Sequence, residues 1–226
     1  MFEDDFERFS RLLLNCCPSL DKSSFLESSA SLYLKHKEVN DIHNLTRITS
    51  PQEFFEKHIV DSLMIGLVAP ELMDNALELA DVGCGGGFPC LPLALVNPNL
   101  NICGIESLGK KVNAVNEIAD HCDLNNLKVH KFRAREAARE DIFTGRFDVV
   151  TARAVATVDT LIKECRQLVK PGGRMIFYKT PDAVEKEMVL AQRDSKKHKF
   201  NLEVSEIFTL SEDSGDRQFF ILTKGE

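Results

Sequence analysis

The stretch that decides the fold is Asp81–Pro92, DVGCGGGFPCLP, in which four residues are glycine and two are proline. It follows ALELA, a short apolar run of strand character, and leads into LPLALVN, a run of helical character. A strand that ends in a glycine turn and opens a helix is how α/β folds bring bare backbone against a ligand. Glycine accepts positive φ and puts no side chain in the way.

The pattern on the C-terminal side repeats that unit. NICGIES reads as a second strand, KKVNAVNEIADHC as a helix, LKVHKF as a third strand and FDVVTARAV as a fourth. TLIKECRQLVK is helical, and PGG then opens the strand RMIFYKT. Strands alternating with helices of this length predict a parallel sheet covered on both faces. The end differs: the charged helix PDAVEKEMVLAQRDSKKHK precedes two strands, LEVSEIFTL and RQFFILTK, joined by the polar turn SEDSGD. That hairpin must add an antiparallel strand to the sheet. On the N-terminal side, residues 2–69 carry helical spacing, with Phe2, Phe6, Phe9, Leu12 and Leu13 at intervals of three and four. Ser50-Pro51-Gln52-Glu53 is a capping-box start for a helix to about Leu67. The division expected is a helical N-terminal extension, 1–69, and one α/β domain, 70–226.

Two ligands compete for the glycine turn. A dinucleotide fold wants G-x-G-x-x-G with a pyrophosphate on the helix N-terminus. Counted from Gly83, the third glycine would fall at Phe88, so the spacing fits acidic-x-G-x-G-x-G instead, read as Asp81, Gly83, Gly85 and Gly87. That pattern resembles the first motif of the Rossmann-like methyltransferases, whose cofactor is S-adenosyl-L-methionine. Glu106 ends the second strand, where a carboxylate can accept two hydrogen bonds from ribose hydroxyls, and it suits both ligands. The C-terminal antiparallel hairpin separates the two and favours the methyltransferase. Cys84 requires only to be small, and Cys90, although it follows Pro89, begins the helix beneath the turn and is read as packing.

Composition bounds the rest. The chain has 226 residues, 43% hydrophobic and 28% charged, the balance of an ordinary globular protein. No apolar run has the length of a membrane span, and the acidic start MFEDDFERF is unlike a secretory signal, so a cytoplasmic address is expected. Seven scattered cysteines form no CxxC pair and no zinc-ligand spacing with histidine; reduced thiols and no metal are expected. With a net charge of −7, contact with nucleic acid must come from local patches, such as Lys128–Arg139, five Lys/Arg against one Glu, or KKHK at Lys196–Lys199.

Seven segments occur in one order: NLT (Asn44–Thr46), KHIVDSL (Lys57–Leu63), DVGCGGGFPCLPLAL, ESLGKK (Glu106–Lys111), RAREA (Arg133–Ala137), FDVVTARAVA (Phe147–Ala156) and FYKT (Phe177–Thr180). Together they resemble the bacterial 16S ribosomal RNA guanine-N7 methyltransferase family, small subunit methyltransferase G or glucose-inhibited division protein B. The resemblance covers the chain from about residue 30 onward. It implies methyl transfer from S-adenosyl-L-methionine to N7 of a guanine in the decoding-region loop of 16S rRNA, with the rRNA or the small ribosomal subunit as partner. The fold implied is a class I methyltransferase sheet, mostly parallel with an antiparallel last strand.

The resemblance places cofactor contacts at Gly83, Phe88, Ala134, Arg135 and Arg153; topology adds Glu106, Gly85 and Gly87. Arg135 stands where the family usually has Glu, so its contact to adenine is expected through the backbone. Cys90 stands for a usual Gly, Glu106 for a common Asp, and Thr180 for a usual Gly. N7 carries an exposed lone pair, so no general base is expected; positioning by Arg153 takes that place. His58 is read as a helix residue bonding the core or an RNA phosphate. Lys110, Lys111, Lys131 and Lys179 are expected to dock RNA.

Overall fold

The computed structural model describes residues 1–225. Helix α1 (Glu3–Cys16) turns Phe6, Phe9, Leu13 and Cys16 inward, and α2 (Lys22–His43) turns Phe25, Leu32, Tyr33, His36 and Val39 inward. Asp21 caps α2 by accepting the Ser24 N–H at 2.8 Å. Phe55 is the hub of this layer, with the rings of Phe2, Phe25 and Phe9 at 4.9, 6.1 and 6.5 Å.

The helical run expected after Ser50 is present. Ser50 Oγ accepts from the Glu53 N–H at 3.3 Å and donates to the Glu53 carboxylate at 3.2 Å. Helix α3 (Pro51–Phe54) passes into a π-helical segment, Phe55–Val60, then α4 (Asp61–Leu63) and a 3₁₀ turn, Met64–Leu67. π-Helical turns of this kind occur often at functional sites, and this one carries His58. A short helix α5 (Glu71–Asp74) leads to the sheet.

The strands are β1 (Glu78–Val82), β2 (Asn101–Glu106), β3 (Leu127–Lys131), β4 (Phe147–Arg153), β5 (Val169–Lys179), β6 (Phe200–Val204), β7 (Phe208–Ser211) and β8 (Gly215–Lys224). Between them run α6 (Cys90–Val96), α7 (Gly109–His121), α8 (Ala134–Ala137), α9 (Val158–Cys165) and α10 (Pro181–Lys197). The strand order is β3-β2-β1-β4-β5-β8-β6, with β7 beside β8. Strands β1 to β5 are parallel, and β8 is antiparallel to β5 from Arg174↔Thr223 to Lys179↔Gln218. The parallel sheet and its antiparallel closing strand are as the sequence predicts.

The last 30 or so residues differ in detail. LEVSEIFTL is two strands, not one: β6 pairs with the C-terminal half of β8 and β7 with its first residues. The break is at Ser205, which keeps one backbone bond to the Phe219 carbonyl, while its hydroxyl accepts the Phe219 N–H and its carbonyl accepts from the Gln218 side chain, so side-chain bonds take over part of the ladder there. Likewise α9 stops at Cys165 and the strand begins at Val169, before PGG rather than after it. Gly173 permits this, since a Cβ there would lie 2.8 Å from the Asp148 carbonyl oxygen.

Leu79 to Val82 of β1 are all buried, and successive side chains enter opposite cores. Leu79 packs on the side of α1, α2 and α6, and Ala80 and Val82 on the side of α9 and α10. The first of these cores runs without interruption from Phe2 through Leu91 to Phe219, so residues 1–69 share their interior with one face of the sheet. Among the described residues no helix is long and apolar enough to cross a membrane.

Candidate active site

A cleft of about 880 Å³ opens at the C-terminal ends of β1 to β4, a volume suited to a small-molecule cofactor. It lies where the chain order reverses between β1 and β4, the usual ligand position in open α/β sheets. Its floor is the glycine turn. Gly83, Gly85 and Gly87 all have positive φ, at +69°, +57° and +96°. A Cβ on Gly87 would overlap Leu91 Cδ1 at 2.2 Å, whereas one on Gly85 would meet nothing nearer than the Gly83 carbonyl oxygen at 3.8 Å. Gly87 is therefore bare for packing, and Gly85 leaves open space beside the cleft.

The turn is held from both sides. Glu106, at the end of β2 and only 7% exposed, accepts the Gly85 N–H on Oε2 at 3.1 Å and the Leu108 N–H on Oε1 at 2.8 Å. The Ser107 hydroxyl also donates to Oε1, at 3.3 Å, so one carboxylate ties the turn to the start of α7 and keeps a free lone pair on Oε2 for a hydroxyl donor. From the other side, His36 donates Nε2–H to the Gly86 carbonyl at 3.0 Å. Asp81 lies beneath, fully buried, accepting from the Cys90 N–H at 3.2 Å and the Thr151 hydroxyl at 3.1 Å. Burial raises its carboxyl to about 6, against the lowering effects of Thr151 and Arg153.

The ring of Phe88 is 6% exposed and stacks flat on His58, with centroids 4.1 Å apart and planes 9° from parallel. His58 is buried, bonds the Thr46 hydroxyl through Nε2 at 3.0 Å, and is driven down to about 3 by burial and by the Arg153 charge. His36 falls to about 4, again through burial, partly offset by its bond to Gly86. Burial thus favours the neutral form of both rings, although His58 reaches the lining of the cleft.

At the end of β4, Nη1 of Arg153 lies 3.1 Å from Asp61 Oδ2 and 3.3 Å from both the Lys57 carbonyl and Ser62 Oγ. Its guanidinium carbon sits 5.6 Å from the Phe88 ring centre. After β3, the N–H groups of Ala134 and Arg135 open α8, and neither meets an acceptor among the described residues; first-turn donors of a helix have none within it. Glu136 turns back to accept the Arg133 N–H at 3.1 Å, so it does not replace the side chain missing at 135. Arg135 itself is exposed.

Three of the four candidate docking lysines come together. Lys110 and Lys111 start α7, and Lys131 at the end of β3 places its ammonium beside Gly109, 3.6 Å from where a Cβ would stand. Arg133, Arg135 and Arg139 line the same mouth of the cleft. Lys179 is elsewhere in function: its ammonium donates to the Ala156 carbonyl at 2.9 Å and pairs with Glu187 at 2.8 Å, and its side chain is 9% exposed. It ties the loop after β4 to α10, with two of its three donors engaged there. The Lys196–Lys199 run closes α10 at the opposite edge of the sheet, beside Lys224, where cations suit a helix C-terminus.

The cysteines that flank the glycines are answered by burial. Cys84 and Cys90 are 2% and 0% exposed, and burial pushes the Cys90 thiol well above its ordinary value. Gly104 on β2 makes room for Cys84, whose sulfur lies 3.2 Å from the position of the absent Cβ.

Two site residues escape a local reading, Asp61 and Arg217. Asp61 is 7% exposed, and the Arg217 Nε–H donates to its Oδ1 at 2.7 Å. A carboxylate inside the apolar run HIVDSLMIGL demands a partner, which is the signal for Asp61. Nothing near in sequence points to a partner 156 residues away.

Donors, a carboxylate and bare backbone thus converge from four strand ends on one cleft, a fit for S-adenosyl-L-methionine. A methyltransferase from Aquifex aeolicus, described as SAM dependent, superposes with a TM-score of 0.56 over 83% of this chain and 97% of its own, at 16% identity, which is a likeness of fold. A ribosomal RNA small subunit methyltransferase G of Lactobacillus johnsonii is 34% identical over 195 residues, 86% of this chain and 81% of its own. That of Lactobacillus delbrueckii subsp. bulgaricus is 37% identical over 65% of this chain, and the aligned part spans 62% of the relative's length. The family model described as rRNA small subunit methyltransferase G matches residues 27–218, and this chain belongs to that family.

Proposed function

We propose that the protein transfers a methyl group from S-adenosyl-L-methionine to N7 of a guanine in 16S rRNA, with the rRNA or the small ribosomal subunit as its partner. The observation that carries this reading is the cleft itself, in a chain of this family, with the Glu106 carboxylate, the free N–H groups at Ala134 and Arg135, and Arg153 brought to it by three different strand ends. When bound, the cofactor supplies a methyl group on a positively charged sulfur.

The chain's own residues then do the following. Glu106 accepts one ribose hydroxyl on the Oε2 lone pair that the Gly85 N–H leaves free, and the second on Oε1 in place of the Ser107 hydroxyl. Gly83 and Gly85 keep the floor of the cleft clear of side chains, Gly87 lets the turn pack on Leu91, and Phe88 holds the turn through its stack on His58. The Ala134 and Arg135 N–H groups meet the adenine edge, which makes the side chain at 135 immaterial to that contact. Lys110, Lys111 and Lys131 hold phosphates at the mouth. N7 attacks through its lone pair and loses no proton, so a site whose histidines are buried and neutral suits it. Positive charge moves from the sulfur to the purine during transfer, and a bare cation beside N7 would oppose it. Arg153 is paired with Asp61, which lowers that opposition.

The test is to map 7-methylguanosine in 16S rRNA after incubating the protein and labelled cofactor with naked rRNA, and separately with small subunits. One methylated guanine is expected. Label on protein or small molecules alone would overturn the reading, and binding of cofactor and RNA without transfer would make the protein an assembly factor.

A further inference from the structure

Asp61 stands between two guanidinium groups. Arg217 Nε donates to Oδ1 at 2.7 Å and Arg153 Nη1 to Oδ2 at 3.1 Å, and the three side chains are 16%, 14% and 9% exposed for Arg217, Arg153 and Asp61. Arg217 is fixed in turn, its Nη1 donating to the carbonyls of Ser214 and Asp216 at 3.0 Å each. An arginine and a carboxylate left to themselves close a two-pronged fork, with two N–H groups on two oxygens. Here Oδ1 is already taken. Arg153 reaches Asp61 through a single nitrogen, and its Nε and Nη2 make no hydrogen bond within the described residues. Because Arg153 lines the cleft, those donors are the ones left for what the cleft receives.

We propose that Arg217 is a positioning residue for methyl transfer: by occupying Asp61 Oδ1 it stops Arg153 from folding onto Asp61 as a fork, and so keeps Arg153 Nε and Nη2 presented to the cleft. The charges agree with this, since two guanidiniums and one carboxylate leave one positive charge for an acceptor brought by cofactor or substrate. The proposal deepens the methyltransferase reading and rests on it for its effect on rate, but its geometric half can be read without turnover.

Two measurements separate them. The first is solvent exchange of the arginine Nε–H signals in ¹H–¹⁵N spectra, with the Arg153 signal assigned by its loss in Arg153→Ala. In Arg217→Gln the Arg153 Nε–H is expected to exchange several-fold more slowly, because the guanidinium turns its Nε–Nη2 edge onto Asp61 and closes the fork, Nε–H on one carboxylate oxygen and Nη2 on the other. Unchanged exchange would overturn the proposal whatever the enzyme does. The second is kcat/KM for rRNA methylation. Arg217→Gln is expected to lose about ten-fold in the wild-type background and less than two-fold in Arg153→Ala, with Arg217→Lys intermediate. An equal loss in both backgrounds would show that Arg217 acts without Arg153 and would overturn it too. A wild-type protein that transfers no methyl to rRNA would refute the proposed function while leaving the exchange result to judge the geometry. If Arg217→Gln melts below the assay temperature, Arg217→Lys carries both measurements, with smaller effects of the same sign.

Discussion

Replacing Gly85 and Gly87 separately with alanine should divide binding from folding. At Gly87 the backbone sits at φ +96° and an added Cβ would lie 2.2 Å from Leu91 Cδ1, 2.8 Å from Leu91 Cγ and 3.1 Å from Val115 Cγ1. Leu91 and Val115 are both fully buried and have nowhere to move. A side chain in that backbone region costs about 1–3 kcal/mol, and overpacking a filled core adds about 1–3 kcal/mol more. At Gly85 φ is +57° and the Cβ would enter open space, so only the left-handed cost of about 1–2 kcal/mol applies. For a chain of this size each kcal/mol moves the melting midpoint by about 2–4 °C. Gly87→Ala should therefore melt on the order of 10 °C lower, and Gly85→Ala only a few degrees lower. Titration with S-adenosylhomocysteine should reverse their order: Gly85→Ala puts a methyl group where the cofactor is to lie and should bind about ten-fold more weakly, a loss of about 1.4 kcal/mol. Wild-type affinity in Gly85→Ala would refute the assignment of the cleft, and a wild-type melting midpoint in Gly87→Ala would refute the packing argument.

The docking lysines and the buried histidines yield two more tests. Lys110→Glu, Lys111→Glu and Lys131→Glu should each weaken RNA binding and flatten its dependence on salt by roughly 0.7–0.9 in log–log slope, whereas Lys179→Ala should leave that slope alone and lower the melting midpoint; the reverse pattern would return Lys179 to the docking set. The folded values of His36 and His58, about 4 and about 3, lie below the ordinary 6.5, so the unfolded chain takes up protons first and stability falls as pH drops through the window from about 6.5 towards 4 and 3. Asp81, raised to about 6 from 3.8, acts in the opposite sense, binding a proton in the fold below pH 6. The two histidines outweigh it by about 2 kcal/mol between pH 7 and 5, and His58→Gln should reduce the pH dependence of the melting midpoint by about half or more; an unchanged dependence would mean that His58 is not held neutral.

How far the sequence carries the structure depends on the range of each interaction. The glycine turn, the strand-helix alternation and the Ser50 cap are written within a few residues, and each stands where its spacing predicts. Glu106 was readable as a strand-end carboxylate, but not its double duty, because the Gly85 N–H reaches it from 21 residues away. Splitting of LEVSEIFTL into β6 and β7 depends on which half of β8 each part finds, and both halves of that segment have equal strand character. Lys179 looked like a free cation in FYKT; its partner Glu187 lies two turns into the following helix, facing back. The bridge from Arg153 through Asp61 to Arg217 joins the end of a strand, the helical run and the last strand, and no local period records it.

That bridge and the glycine turn bear on what the N-terminal helices are for. The turn takes its conformation from two sets of bonds. One comes from the sheet, through Glu106 to the Gly85 N–H; the other comes from residues before 70, through His36 to the Gly86 carbonyl and through the stack of His58 on Phe88. Arg153 likewise emerges from the sheet but is fixed by Lys57, Asp61 and Ser62. A sheet with the same strands and no such helices would have the turn's glycines free to sample their wide conformational range, and ordering them would then fall to the ligand, at a cost to its affinity. The helices that cover one face of the core therefore also set the floor of the cleft before anything binds, and a boundary drawn at residue 70 passes through the lining of that cleft.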